Sequence, residues 1–274
     1  MKKILVETDG DRLDVFLTNF FNGEHTRSQI NKAIKEGNVT VNGDLVKSGY
    51  ILEQDDEIEA DLTPQSHVAT PEDIRLDIVY EDDCLMIINK PVGMVVHPGN
   101  GNKSGTLLNA LLYYGNDKLE RAGIVHRLDK NTSGLMVVAK TAKAQAKLSE
   151  MFERKEVKRT YVGLVEGVLY GSGTIDKNIV RHPKIRTIFT TADTGGRRAV
   201  THYKVLENHA KTTTIQFQLE TGRTHQIRVH AKSIGHPLVD DPEYNPKGGD
   251  GQKLQSVAIE FVHPVTKKSI SQVL

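Results

Sequence analysis

Apolar residues recur three and four apart near the start of the chain and then give way to short runs and every-second alternation, so the pattern itself divides the sequence. Leu13, Phe16, Leu17 and Phe20 share one helical face and predict a helix over residues 12–21. A second helix opens at Thr26, where Thr26-Arg27-Ser28-Gln29 has the form of a capping box. Ile30, Ala33 and Ile34 supply its apolar stripe and Gly37 its stop. Residues 38–41 and 44–47 then flank Asn42-Gly43, the dipeptide best suited to a two-residue hairpin turn. Helix, helix and hairpin predict an independent module over residues 1–62. Residues 63–75 hold Pro64 and Pro71 and no periodicity, and read as a linker.

Beyond the linker, runs rich in Val, Ile, Thr and Tyr predict strands at 76–80, 84–89, 135–140, 160–168, 199–206 and 213–220. Ala144, Leu148, Met151 and Phe152 form a helical stripe behind Thr141. Ile227, Ala231 and Ile234 form another on a helix opening at Thr224 and stopped by Gly235. Strands outnumber helices without regular alternation, so residues 76–274 are expected to form an α+β domain on a mixed or antiparallel sheet. The Gly-rich stretch 245–251 reads as a surface loop.

Composition narrows the class. A chain of 274 residues, 38% hydrophobic and 26% charged, is long enough for a real core without staples. No apolar run approaches the ~18 residues of a membrane span, and the first residues lack a signal-peptide core, so a cytoplasmic protein is expected. One cysteine, Cys84, excludes an internal disulfide and a Cys-based zinc site. Charge is nearly balanced overall but unevenly placed. Residues 1–62 carry 7 basic and 13 acidic side chains, whereas residues 121–159 carry 10 and 4. A local basic field of that kind suits a polyanion.

The densest candidate chemistry is the string 123–134. Asp129 is its one carboxylate, flanked by Arg127 and Lys130, which favour the ionised form and so a nucleophile or base. Taken alone, the same residue also reads as a turn cap with Thr132 and Ser133. His126-Arg127-Leu128-Asp129 is not a kinase loop, because Leu128 interrupts the required His-Arg-Asp. Asn102 breaks the Gly-Lys-Ser that a phosphate-binding loop needs. Eleven histidines show no metal-ligand spacing, so no metal is expected.

Two resemblances add to this reading. Residues 26–30 and 37–43 resemble an S4 RNA-binding domain covering about 11–60, which implies RNA contacts at Arg27, Ser28, Lys32 and Lys47. His126-Arg127-Leu128-Asp129-Lys130-Asn131-Thr132-Ser133-Gly134 is similar to the signature of RluA-type pseudouridine synthases. Further blocks stand in family order at 89–98, 158–167, 219–230 and 236–241. With the leading module, the chain most resembles the RluD-like branch, which acts on large-subunit ribosomal RNA. The resemblance implies Asp129 as the catalytic aspartate, Tyr161 as the aromatic stacking on the target base, and Arg228 as the arginine paired with the catalytic carboxylate. Arg127 joins them in substrate binding. One departure stands out: residues 254–264 only partly match the family's closing strand, which puts that strand in doubt.

The implied reaction isomerises uridine to pseudouridine within RNA, without cofactor, by a monomer acting on ribosomal RNA and, as a second candidate, transfer RNA. Basic residues of 121–159, with Arg181, Lys184, Arg186, Arg197, Arg198 and Lys204, are expected to contact phosphates. RNA binding should therefore weaken steeply with salt. Two other classes stay open on sequence: a non-catalytic RNA-binding or ribosome-assembly factor, and a nucleoside hydrolase of small molecules, which leaves the first sixty residues without a purpose.

Overall fold

The computed structural model describes residues 2–22, 24–62, 69–99, 101–185 and 187–274. It divides into two compact units, Met1–Val68 and Ala69–Leu274. Arg186 and residues 63–68 of the expected linker lie outside the described residues.

In the first unit, β1 (Lys2–Leu5), α1 (Leu13–Phe20), α2 (Arg27–Lys35), β2 (Val39–Val41), β3 (Asp44–Leu45) and β4 (Glu57–Ala60) build a sheet ordered β1-β4-β2-β3. The local signals act as chemistry requires. Thr26 Oγ1 accepts the Gln29 N–H while Gln29 Oε1 accepts the Thr26 N–H, closing the capping box on two otherwise unpaired helix donors. Asn42 and Gly43 both adopt positive φ, 53° and 85°, as the hairpin turn demands. Leu13, Leu17, Ile30, Val39, Leu52 and Ile58 are fully buried between helices and sheet. Strands β1 and β4 are only four residues long each, and they pair Lys2 with Ala60 across the whole unit.

The second unit has β5 (Ile78–Glu81), β6 (Leu85–Lys90), α3 (Leu107–Tyr113), β7 (Ser133–Ala139), α4 (Ala142–Glu153), β8 (Lys158–Glu166), β9 (Ser172–Arg181), β10 (Phe189–Ala192), β11 (Arg197–Asn208), β12 (Thr212–Leu219), α5 (Gln226–Ser233), β13 (Leu254–Val262) and β14 (Ser269–Val273). The strands form one sheet, β10-β9-β11-β12-β8-β13-β7-β6-β5, with β14 on β13. All pairs are antiparallel except β13 with β7. This is the α+β class that the strand-rich pattern implies.

Strands β6 and β7 read as unbroken apolar runs because both their faces are covered. Leu85, Ile87, Leu135, Val137 and Ala139 face α4 through Ala144, Leu148 and Met151. Met86, Ile88, Met136 and Val138 face the opposite way, onto Leu107, Leu111 and Phe217. The doubtful closing strand is formed: β13 is inserted between β8 and β7, and Gly134 is where it presses closest. A Cβ at Gly134 would lie 2.1 Å from the Ser256 carbonyl oxygen.

Two expectations are corrected. Residues 70–74, placed in the linker, are tied to the second unit. The Thr70 carbonyl accepts from Asn109 Nδ2 at 2.8 Å, and the Glu72 carboxylate accepts from the Gly105 N–H at 3.0 Å. Their polar, Pro-flanked composition hid this, because the partners are backbone and amide groups. The Gly-rich stretch 245–251 is more than a surface loop, since Gly249 packs on Asp240 and Gly251 on the Asn131 side chain. The missing Cβ atoms are what permit those approaches.

Candidate active site

The loop before β7 alternates like a strand. His126 and Leu128 turn inward, and Arg127 and Asp129 turn outward. His126 Nε2 accepts the Val137 N–H at 2.9 Å and its ring stacks on Phe152 with centroids 4.5 Å apart. Burial, with Arg159 nearby, pushes its pKa down to about 3, so the ring is a neutral anchor. Leu128 is buried in the core. The segment is thereby pinned at every second residue, which aims Asp129 into open space.

Beneath Asp129 lies a buried ammonium. Lys90, at the end of β6, is 1% exposed. It donates to the carbonyls of Pro91 (2.8 Å), Met94 (2.9 Å) and Lys130 (3.2 Å). The Lys130 carbonyl also accepts the Gly93 N–H at 2.9 Å. Burial pushes the Lys90 pKa down to about 8, against the pull of Asp129, so the group is still charged at neutral pH. From the other side, Gln252 Nε2 donates to the buried Thr132 hydroxyl at 3.1 Å. The backbone on both sides of Asp129 is thus fixed by groups far away in sequence.

Arg228, on α5, is buried. Its Nε and Nη2 form a two-point contact with Asp241 at 2.8 and 2.7 Å, and Nη2 also reaches Glu243 at 2.6 Å. Its Nη1 lies 3.6 Å from Asp129 Oδ2, an ion pair without a hydrogen bond. Arg228 is thus paired with Asp129 by charge, while its bidentate partner is Asp241. Asp241 is fully buried and must be fully paired, which the Glu243 and Tyr244 N–H groups complete. Asp129 is one-fifth exposed and keeps its oxygens available.

Tyr161, on β8, faces the same space between Phe217 and Ser256 on the neighbouring strands. Burial raises its phenol pKa, while Arg159 and Ser256 pull the other way. His225, the residue before α5, has φ 57° and Nδ1 2.8 Å from the Tyr244 hydroxyl, which also accepts the Phe189 N–H at 3.0 Å. Burial lowers its pKa against the opposing pull of Asp129. Helix α5 starts at Gln226 rather than Thr224, since a left-handed residue cannot continue a helix.

Arg127, Asp129, Tyr161, Arg228 and His225 line one cavity of about 580 Å³, a volume proper to a ligand site of about 300–1,000 Å³. Residues from three separate segments converge there. Sequence reasoning missed Lys90, Gln252 and Asp241 as its supports. Lys90 directly before Pro91 was the nearest to a visible signal.

Other candidates stand elsewhere. Arg27, expected on RNA, is tied to the buried Asp14 of α1 at 2.8 Å, together with Arg12 at 3.1 Å. Lys32 pairs with Glu36 at 3.7 Å, whereas Ser28 and Lys47 are exposed. Arg198 is bound to Asp176. Asp82, Cys84 and His263 form the one group of clustered potential metal ligands among the described residues. His263 Nδ1 accepts two backbone N–H groups, so its ring proton sits on Nε2, which lies 3.0 Å from Asp82 Oδ2 without a hydrogen bond to it. That nitrogen has no free lone pair for an ion, and the group reads as a structural pin. No described helix is long and apolar enough to cross a membrane.

Comparison with known proteins addresses both units. The family described as RNA pseudouridylate synthase matches residues 84–233, and the S4 domain matches residues 11–58. Ribosomal large subunit pseudouridine synthase D of Escherichia coli (strain K12) is 44% identical over 278 residues, spanning 94% of this chain and 84% of its own. The protein of that name from Pseudomonas aeruginosa is 47% identical over 248 residues, spanning 87% and 75%. Human RNA pseudouridylate synthase domain containing 1 has a TM-score of 0.61 at 23% identity, over 73% of this chain and 83% of that one, a likeness of fold.

Proposed function

Since the chain belongs to the RNA pseudouridylate synthase family, we propose that it isomerises specific uridines of large-subunit ribosomal RNA, with Asp129 acting on a flipped-out nucleotide. The observation that carries this reading is the convergence of Asp129, Tyr161 and Arg228 on one cavity from segments far apart in the chain. The uridine leaves its stack at a cost of a few kcal/mol and enters the cavity. Tyr161 offers the flat surface on which a base is held. Asp129 acts on the nucleoside so that the bond from C1′ to N1 breaks. The uracil turns, C1′ bonds to C5, and the hydrogen of C5 leaves as a proton while N1 gains one. Atoms and charge balance without a group donor.

Arg228 supports Asp129 by charge alone at 3.6 Å, leaving both oxygens free for the nucleotide. Ser28, Lys32 and Lys47 of the first unit would contact the RNA elsewhere, with Arg27 shaping that surface through Asp14.

The test is tritium release from RNA labelled at uridine C5, with ribosomal and transfer RNA transcripts, for the wild type and Asp129→Asn. Release from ribosomal RNA that vanishes in the variant supports the reading. Equal release from both proteins removes Asp129 from the mechanism. Tight RNA binding without any release points to a non-catalytic factor.

A further inference from the structure

We propose that Arg159 forms a second subsite in the same cavity, which binds a phosphodiester flanking the flipped uridine and so fixes the nucleotide's depth. This rests on the pseudouridine synthase reading and adds to it a residue and a ligand group. Arg159 and Tyr161 are two apart on β8 and share a face, and both line the cavity with Asp129. A phosphate held at Arg159 therefore tethers the nucleotide whose base lies on Tyr161.

The guanidinium is held in place. Its Cζ lies 5.3 Å from the Phe152 ring centroid, and that ring is backed by His126. On Gly222, a Cβ would come within 3.2 Å of Nη1 and 3.5 Å of Nη2, so the fork sits against bare backbone. The ring behind Phe152 is neutral, so Arg159 does not sit against a second cation there.

What Arg159 lacks is an anion. Arg228 has Asp241, Glu243 and Asp129, whereas Arg159 pairs with no carboxylate among the described residues. Its Nε–H is buried without an acceptor. Two other carboxylates line the cavity: Glu220 is taken by His202 at 2.7 Å, and Glu153 makes no ion pair with Arg159. A desolvated cationic donor with no partner is unfavourable, and an incoming oxyanion recovers that loss. The planar fork matches the two non-bridging oxygens of a phosphodiester, and a neutral base offers no such charge.

The experiment couples the residue to the phosphate. KM and kcat from tritium release are measured for the wild type, Arg159→Gln and Arg159→Lys, on RNA bearing one methylphosphonate at each position flanking the target uridine. The same cycle is run as Kd in the Asp129→Asn background, so it is read even without turnover. Arg159→Gln should raise KM about tenfold or more, with a much smaller change in kcat. One methylphosphonate should weaken the wild type by a similar factor and Arg159→Gln hardly further. Arg159→Lys should fall between the two. Additive losses at every phosphate, or a fall in kcat with KM and Kd unchanged, overturn the proposal and leave Arg159 as a support for Tyr161. Absence of tritium release by the wild type on any RNA would refute the enzymatic reading instead.

Discussion

Asp129 and Asp241 share one arginine, yet their geometry assigns them opposite roles, and replacing each by Asn separates the two. Asp241 is fully buried, contacts Arg228 at two points and accepts two backbone N–H groups. In Asp241→Asn the amide donors face a guanidinium or backbone N–H groups, and the buried cation loses its main partner. Breaking a buried pair from one side costs about 3–5 kcal/mol. For a unit of this size each kcal/mol moves Tm by about 2–4 °C, so the second unit should melt about 6–20 °C lower. Asp129→Asn removes only a partly exposed contact at 3.6 Å, worth about 0–1 kcal/mol, so Tm should move by at most about 4 °C. Both variants should lose turnover, the first because Arg228 is no longer held and the second because the reacting group is gone. Calorimetry of the full chain reads the stability, and tritium release reads the chemistry. An Asp241→Asn protein melting with the wild type would refute the assignment of the bidentate contact, and so would an Asp129→Asn protein destabilised as strongly as Asp241→Asn.

The buried Lys90 gives a pH signature. Its pKa is about 8 in the folded chain against 10.5 ordinarily, so between those values the unfolded chain holds a proton that the folded chain has released. Stability from this group therefore rises with pH through that window, by about 3 kcal/mol, and the full penalty is present below pH 8. Urea unfolding should show the wild type gaining on Lys90→Met between pH 7.5 and 10.5, and parallel curves would contradict this. Gly251→Val places a Cβ about 3.0 Å from Asn131, two residues from Asp129. Turnover should fall about 10- to 100-fold with RNA affinity nearly unchanged, and wild-type kcat would show that this contact does not position the loop.

What the sequence makes legible is what chemistry decides locally. The Thr26 capping box, the Asn42-Gly43 turn and the Thr141 cap each use residues within four positions, and each is found as the spacing requires. Helix α3 escaped because its capping box closes with Asn109 in place of Glu or Gln. Strand β9 escaped because only Ile175 and Ile179 of its ten residues are buried. The site divides in the same way. Asp129, Tyr161 and Arg228 stand in recognisable strings, whereas Lys90 to the Lys130 carbonyl and Gln252 to Thr132 join residues 40 and 120 apart. No local pattern encodes such pairs, since a buried donor is specified by whichever acceptor the fold delivers to it.

The cavity's charges follow from the reaction it would host. Isomerising a uridine changes neither composition nor net charge, so the reacting centre needs no permanent excess of either sign. Beside Asp129 no cation is left in excess, because Asp241 and Glu243 share Arg228 with it. The cations that pair with no carboxylate among the described residues stand elsewhere in the lining: Arg127, Lys155, Arg159 and Arg223. Had the excess been gathered around Asp129, it would bind the carboxylate itself and withdraw its oxygens from the nucleotide. Keeping it apart lets one cavity hold a polyanionic strand and leave its one reactive carboxylate available.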